Sequence, residues 1–257
     1  MDGLGVLRRR PDAVDPALPA VVLVHGAMDR AASFGRTMRR LGGLDVCAYD
    51  RRGYATSLSA GVAQTLDEQA ADLMTVAAWT GADTVVVVGH SFGGTVAMRA
   101  AESDPRRLIG LGAFESPAPT LSTYRSDGAD LALAAADSGG PPAAAEAFYR
   151  LVVGDATWER LRATDRDLRL AEGEQLVAEL LDLRRPTGAP DLDRVQVPVL
   201  VGAGAASHDG WRASAVELAE RLPHASYVEI PGAGHGAHLS HPDEFARYVR
   251  RCVEQST

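Results

Sequence analysis

Short, almost wholly apolar runs alternate with longer stretches of mixed polarity along this chain of 257 residues. Residues 21–24, 85–88, 108–114 and 197–201 are rich in Val, Ile and Leu, and each gives way to Gly, His or Glu. Strands buried on both faces look like this, because a parallel sheet covered by helices turns neither face to water. Two weaker runs, 44–49 and 226–230, join them once strand propensity and flanking turn residues are counted. Helical patterns lie between, at 33–41, 66–79, 93–103, 210–221 and 242–252. In the second, Leu66, Gln69, Ala70, Leu73, Val76 and Ala77 recur at spacings of three and four, a stripe suited to covering a sheet. Strands alternating with helices predict an α/β fold, a mostly parallel central β-sheet flanked by helices. Crossovers should be right-handed, and ligands should bind beyond the strand C-termini.

One interval breaks the alternation: after Glu115 no strand-like run appears until residue 197. That stretch carries Ala-rich and acidic helical patterns at 129–137, 143–153, 158–170 and 173–183, with Gly139-Gly140-Pro141-Pro142 separating the first two. A structureless loop of such length would be exceptional. The segment therefore reads as a helical cap over one end of the sheet, inserted after the strand that ends near Glu115. The predicted division is a core of residues 1–115 and 191–257 and a cap or lid of 116–190.

Composition then limits the partners. At 46% hydrophobic and 23% charged, the chain can bury a sizeable core. Its net charge of -8, with no basic run longer than Arg8-Arg9-Arg10, opposes binding to nucleic acid or an anionic membrane surface and leaves a small-molecule substrate as the expected partner. No run approaches the roughly 18 apolar residues of a membrane span. The stretch from Met1 to Leu7 is too short for a secretory h-region, and its basic residues follow it instead of preceding it. With only Cys47 and Cys252, far apart, the reading is a cytoplasmic protein with free thiols.

The chemistry is concentrated at Gly89-His90-Ser91-Phe92-Gly93, which follows an apolar run directly and opens a helical pattern. A G-x-S-x-G in strand-turn-helix context is a nucleophile elbow: the sharp turn exposes the Ser91 hydroxyl, and the helix N-terminus favours developing negative charge. His235 follows another strand in a Pro231-Gly232-Ala233-Gly234 loop, at the same sheet edge. An imidazole there can take a serine proton near neutral pH and return it to a leaving group.

With these residues the sequence resembles the α/β-hydrolase family over nearly its whole length outside the insertion. His25-Gly26-Ala27, the 49–57 loop with Asp50-Arg51-Arg52-Gly53, the elbow and Gly232-Ala233-Gly234-His235 carry the likeness, although Ala55 replaces a usual glycine of that loop. The family order of nucleophile, acid and histidine is obeyed by Ser91 and His235. The resemblance implies a catalytic triad and an oxyanion hole formed by the backbone N–H groups of Ala27 and Phe92. It also picks His235, directly after Gly-x-Gly, over His238 and His241. The Asp50-Arg51 charges are expected to tie loops together rather than to catalyse.

The acid departs from the common family pattern. Where most members carry Asp, after the run beginning Pro198-Val199-Leu200, this chain has Ser207, with Asp209 two residues on. Some subfamilies, haloalkane dehalogenases among them, place the acid at the end of the preceding strand, where Glu115 stands. Glu115 is favoured and Asp209 is the alternative. Asp209 could equally cap the helix that runs through Trp211. A serine cannot displace halide as the dehalogenase aspartate does, so acyl transfer is left.

The expected function is a serine hydrolase of the carboxylesterase type, acting through an acyl-enzyme on a small or medium ester. C–C bond hydrolases, thioesterases, lactonases and perhydrolases share the triad. A non-catalytic ligand-binding relative is the other alternative, favoured by Ser207 in the acid slot. Tyr124, Phe148 and Trp158 are candidate substrate-binding residues, although such spacing also suits the cap's own packing. No H-E-x-x-H or cysteine pair is present, so neither metal nor cofactor is expected. Homodimers are common among such enzymes, and the sequence argues neither for nor against one.

Overall fold

The computed structural model describes residues 3–13, 15 and 17–257, so residues 1, 2, 14 and 16 of the predicted core lie outside the described residues. Among the described residues, seven strands and ten α-helices follow one another along the chain. In order they are β1 (Val6–Arg9), β2 (Ala20–Val24), α1 (Gly35–Met38), β3 (Val46–Tyr49), α2 (Leu66–Trp79), β4 (Val85–His90), α3 (Phe92–Ala101) and β5 (Leu108–Phe114). There follow α4 (Asp127–Val153), α5 (Asp155–Arg160), α6 (Ala163–Ala171), α7 (Gly173–Asp182), β6 (Val199–Gly204), α8 (Asp209–Arg221), β7 (Ala225–Ile230), α9 (Ala237–Ser240) and α10 (Pro242–Ser256). The strands form one sheet in the order β1-β3-β2-β4-β5-β6-β7. All neighbours are parallel except β1, which runs antiparallel to β3 at the edge.

Alternation of side chains along each strand divides the core in two. Val22, Val24, Val85, Val87, Leu111, Val199 and Val201 face α2, α3 and α8, whereas Val21, Leu23, Val86, Val88, Phe114 and Leu200 face α1 and α10. The α10 stripe of Phe245, Tyr248, Val249, Cys252 and Val253 repeats at three and four residues and is buried throughout. At the head of α2, the Thr65 side chain accepts from the Glu68 amide while Glu68 accepts from the Thr65 amide, a capping box that fixes where the helix begins.

The structure differs from the sequence reading in several places. Strand β1 was not expected: its side chains alternate between partly buried and exposed, and Arg8 looks like charge rather than strand until it pairs with Asp45. The predicted 197–201 strand begins at Val199 and extends to Gly204. The predicted 33–41 helix starts as a 3₁₀ turn at Ala31–Phe34. The predicted 158–170 helix is two helices, α5 and α6, because Leu161 takes an extended conformation between them.

Between β5 and β6 the chain folds as α4 to α7. Gly140, at φ 74° and ψ -175°, breaks α4 at the Gly-Pro sequence, as that composition predicts. Leu133, Ala144, Tyr149, Trp158, Leu176 and Leu180 of these helices form a third buried cluster with Met28 and Tyr54 of the sheet-end loops. The helices thus rest on the loops that carry the site. Among the described residues, no helix is long and apolar enough to cross a membrane. Cys47 and Cys252 are both free and buried, and burial raises the thiol pKa of each, that of Cys47 to about 12.

Candidate active site

Strand β4 ends at His90, and the chain turns so sharply into α3 that Ser91 sits at φ 52° and ψ -129°. A serine held there is strained by an amount on the order of 1–3 kcal/mol, which persists only when the surroundings dictate it. They do: the Ser91 amide donates to Phe114 O at 2.8 Å, and its own carbonyl accepts from the Gly94 amide at 2.9 Å. A side chain at Gly93 would collide with the carbonyls of Val24 and His25, and one at Gly89 with the backbone of Gly93 and Gly94. Both glycines of the elbow are therefore required by close backbone approach. The His25-Gly26-Ala27 loop lies directly against it, since a Cβ at Gly26 would stand 2.9 Å from Ser91 Cβ.

Neighbouring strands bring the acid alongside. His90 and Phe114 are partners in the β4–β5 register, so Ser91 and Glu115 follow adjacent strand ends. Glu115, at φ 45° and 1% exposed, is like Ser91 one of four non-glycine residues with positive φ among the described residues. Its carboxylate is fully engaged. Oε2 is 2.6 Å from His235 Nδ1, while Oε1 accepts from the Gly204 amide at 2.7 Å and from Ser207 Oγ at 2.5 Å. The alternative acid, Asp209, stands apart with its side chain 96% exposed and pairs with Arg212. It does not cap α8 either; His208 does, accepting from the Gly210 amide. Ser207, at the position where the resemblance led one to expect an acid, is instead a hydrogen-bond donor to Glu115.

His235 follows β7 and is held from several sides. Its backbone carbonyl accepts from His90 Nε2 at 2.8 Å, and the two imidazole centroids are 4.7 Å apart. The indole of Trp211 stacks on the same imidazole at 4.7 Å and 27°. Since an ionised carboxylate only accepts, Nδ1 of His235 carries the proton towards Glu115 and Nε2 is left as the basic nitrogen. The rival His238 is buried, with Nε2 3.1 Å from Asp29 Oδ2.

Arg51 joins this site to the α4–α7 helices. It is 1% exposed and donates to His25 O at 3.0 Å, Gly26 O at 3.1 Å, Glu179 Oε2 at 2.8 Å and Gln69 Oε1. Its amide donates to His25 Nε2 at 2.8 Å, and Tyr54 Oη donates to Glu179 Oε1 at 2.7 Å. Burial and the positive charge of Arg51 lower the His25 pKa to about 4, so this imidazole is neutral at neutral pH. The loop-tying role expected of Asp50-Arg51 is what the geometry provides, but its reach into α7 was invisible in sequence because Glu179 is 128 residues away.

Of the candidate pocket residues, Trp158 is 3% exposed and packs on Tyr149 at 5.6 Å, inside the α4–α7 cluster. Phe148 is half-buried against that same cluster. Tyr124 lines a cavity of about 210 Å³ with Pro119, Leu180, Leu183 and Arg184. Two residues at the site were missed, Ser207 as a partner of the acid and Trp211 as a cover on His235. Neither belongs to a motif, and their neighbours in space come from other strands.

Residues 21–248 match the sequence profile of the Alpha/beta hydrolase family. The chain is 31% identical over 203 residues to polyketide synthase ThaQ of Burkholderia thailandensis, aligning 74% of itself to 10% of that much longer protein. It is 27% identical over 250 residues to 2-succinyl-6-hydroxy-2,4-cyclohexadiene-1-carboxylate synthase of Serratia proteamaculans, covering 90% of this chain and 92% of that one. Among solved structures it is similar to MenH from S. aureus, with a TM-score of 0.76, 17% identity and 98% of each chain covered.

Proposed function

Because this chain belongs to the Alpha/beta hydrolase family, we propose that it is a serine hydrolase acting on small or medium esters through an acyl-enzyme. The observation that carries the reading is the 2.6 Å bond from His235 to a buried Glu115 beside an elbow serine forced to φ 52°. In this reading His235 Nε2 takes the Ser91 proton as Oγ attacks the ester carbonyl. The imidazolium so formed is stabilised by Glu115, whose charge is itself held by Ser207 and Gly204. The amides of Ala27 and Phe92 receive the oxyanion, with Phe92 opening α3, where the helix dipole adds to them. His235 returns its proton to the departing alcohol, and water repeats the sequence on the acyl-enzyme. Helices α4 to α7 act as a cap, and buried free thiols suit a cytoplasmic enzyme with a small-molecule substrate.

The sequence feature that favoured a non-catalytic relative was Ser207 in the acid slot. The bond from Ser207 Oγ to Glu115, itself 2.6 Å from His235, supports the catalytic reading over that one. A second reading has a specific support: the Serratia relative, matched over 90% of this chain, is named a synthase. Under it the same His235 and Ser91 would move protons without an acyl-enzyme. Incubation with a p-nitrophenyl ester and mass spectrometry of the quenched protein distinguishes the two. An acyl adduct on Ser91, absent in Ser91→Ala, is the expected result; turnover of the ester without an adduct, or no turnover and no fluorophosphonate labelling of Ser91, overturns the esterase reading.

A further inference from the structure

We propose that Asp29, His90 and His238 form a binding site for a divalent cation of the zinc class, separate from the serine chemistry. One donor atom from each of these three side chains lies within 4.8 Å of the other two. They come from three different elements: Asp29 from the loop after β2, His90 from the last residue of β4 and His238 from α9. The arrangement therefore has no spacing signature, which is why a search for H-E-x-x-H or paired cysteines finds nothing.

The protonation pattern of His90 is that of a ligand. Its Nε2 faces the backbone carbonyl of His235 at 2.8 Å, and a carbonyl only accepts, so Nε2 carries the proton. That leaves Nδ1 as a bare lone pair. The ring is 5% exposed, and Nδ1 has no hydrogen-bond partner. A buried acceptor without a donor costs on the order of 1–3 kcal/mol. An imidazole that donates through one nitrogen to a backbone carbonyl and offers the other is the usual form of a metal-bound histidine.

The other two side chains complete a nitrogen-nitrogen-oxygen donor set. His238, 2% exposed, places Nε2 3.1 Å from Asp29 Oδ2, and Ser33 Oγ donates to the same oxygen at 3.1 Å. Two donors sharing one cation at about 2.0–2.2 Å stand roughly 3.3 Å apart in a tetrahedral site, so this pair is already near the required spacing. The His90 and His238 ring centroids are 4.3 Å apart, and a bound cation would draw the third donor in from its place within 4.8 Å of the other two. On binding, the His238 proton moves from Nε2 to Nδ1, which also lacks a partner. The Asp29 side chain remains 20% exposed, which leaves an entry from solvent. The bound cation would tie together the Asp29 loop, the end of β4 and α9, and brace His235 through the His90 bond.

Calorimetric titration of Zn²⁺ into chelator-treated protein at about pH 7.5 tests this, with Asp29→Asn, His238→Gln and a His208→Gln/His224→Gln control that removes two exposed histidines. One saturable equivalent with a Kd of about 10 μM or tighter is expected, weakened at least tenfold in Asp29→Asn and His238→Gln and unchanged in the control. No saturation by about 1 mM, or binding that survives both ligand substitutions or vanishes in the control, overturns the proposal. Should either ligand variant fail to fold, Co²⁺ added to the unaltered protein decides: visible d–d absorption of a nitrogen- and oxygen-ligated ion supports the site, and the spectrum of aqueous Co²⁺ rejects it.

Discussion

The indole of Trp211 lies on the imidazole of His235, with centroids 4.7 Å apart and planes inclined by 27°. An aromatic face attracts a cation, so this contact is stronger when the imidazole gains a proton than before. Trp211→Ala should lower kcat on a p-nitrophenyl ester about two- to fivefold, the equivalent of roughly 0.5–1 kcal/mol, while Trp211→Phe retains most of it. A change in KM alone would show that the ring only contacts substrate.

Glu115→Gln keeps the shape of the acid but removes its charge, and kcat should fall by about a thousandfold or more. Ser207→Ala deletes one of two donors to Glu115 Oε1, leaving the Gly204 amide, and should cost about tenfold. Asp209→Asn, at an exposed position, should stay within about twofold of the parent. Initial rates on the same ester decide all three, and loss of turnover in Asp209→Asn alone would reverse the assignment of the acid.

Arg51 and Glu179 are both buried, so removing one charge strands the other. Arg51→Met should destabilise the protein by about 3–5 kcal/mol in urea unfolding. Adding Glu179→Leu should recover part of that loss, since an apolar pair leaves no uncompensated charge. Equal stability of the single and double variants would mean that the two charges are not coupled.

His25 gives the fold a defined response to acid. Its pKa is about 4 in the native protein, from burial and then Arg51, against roughly 6.5 unfolded. Between those values the unfolded chain binds a proton that the native state refuses, so stability is full above about pH 6.5 and declines towards pH 4, by about 3 kcal/mol in total. His90, also held low by burial, acts in the same direction. Urea unfolding at about pH 7 and pH 4.5 should show the loss, and His25→Gln should flatten the slope.

The sheet and the elbow were legible in the sequence because their signals are local. Apolar runs of four to seven residues mark the inner strands, and the glycines at 89 and 93 are fixed by contacts within the turn itself or with the adjacent strand. Glu115 was legible as a strand-end carboxylate and favoured, with Asp209 left as the alternative, since the choice depends on which one a loop 120 residues later can reach. Edge strand β1 was missed because half of it is charged, and Trp211 and Ser207 because their roles exist only after β5, β6 and β7 are side by side. The Asp29, His90 and His238 cluster is the extreme case, assembled from positions 29, 90 and 238 with no pattern linking them.

Helices α4 to α7 follow one another between β5 and β6, which invites their treatment as an exchangeable part. The contacts of α7 argue against it. Glu179 answers Arg51 and Tyr54, Gln175 pairs with Ala63, and Asp182 accepts from the Leu66 amide, all from within buried surface. A chimera that swaps these helices for those of a relative would leave Arg51 facing whatever residue arrives at position 179, with the carbonyls of His25 and Gly26 hanging on the outcome. Recombination between such proteins should therefore succeed only when the 51–66 loop travels with the helices, so that the unit of inheritance here is larger than the four helices themselves.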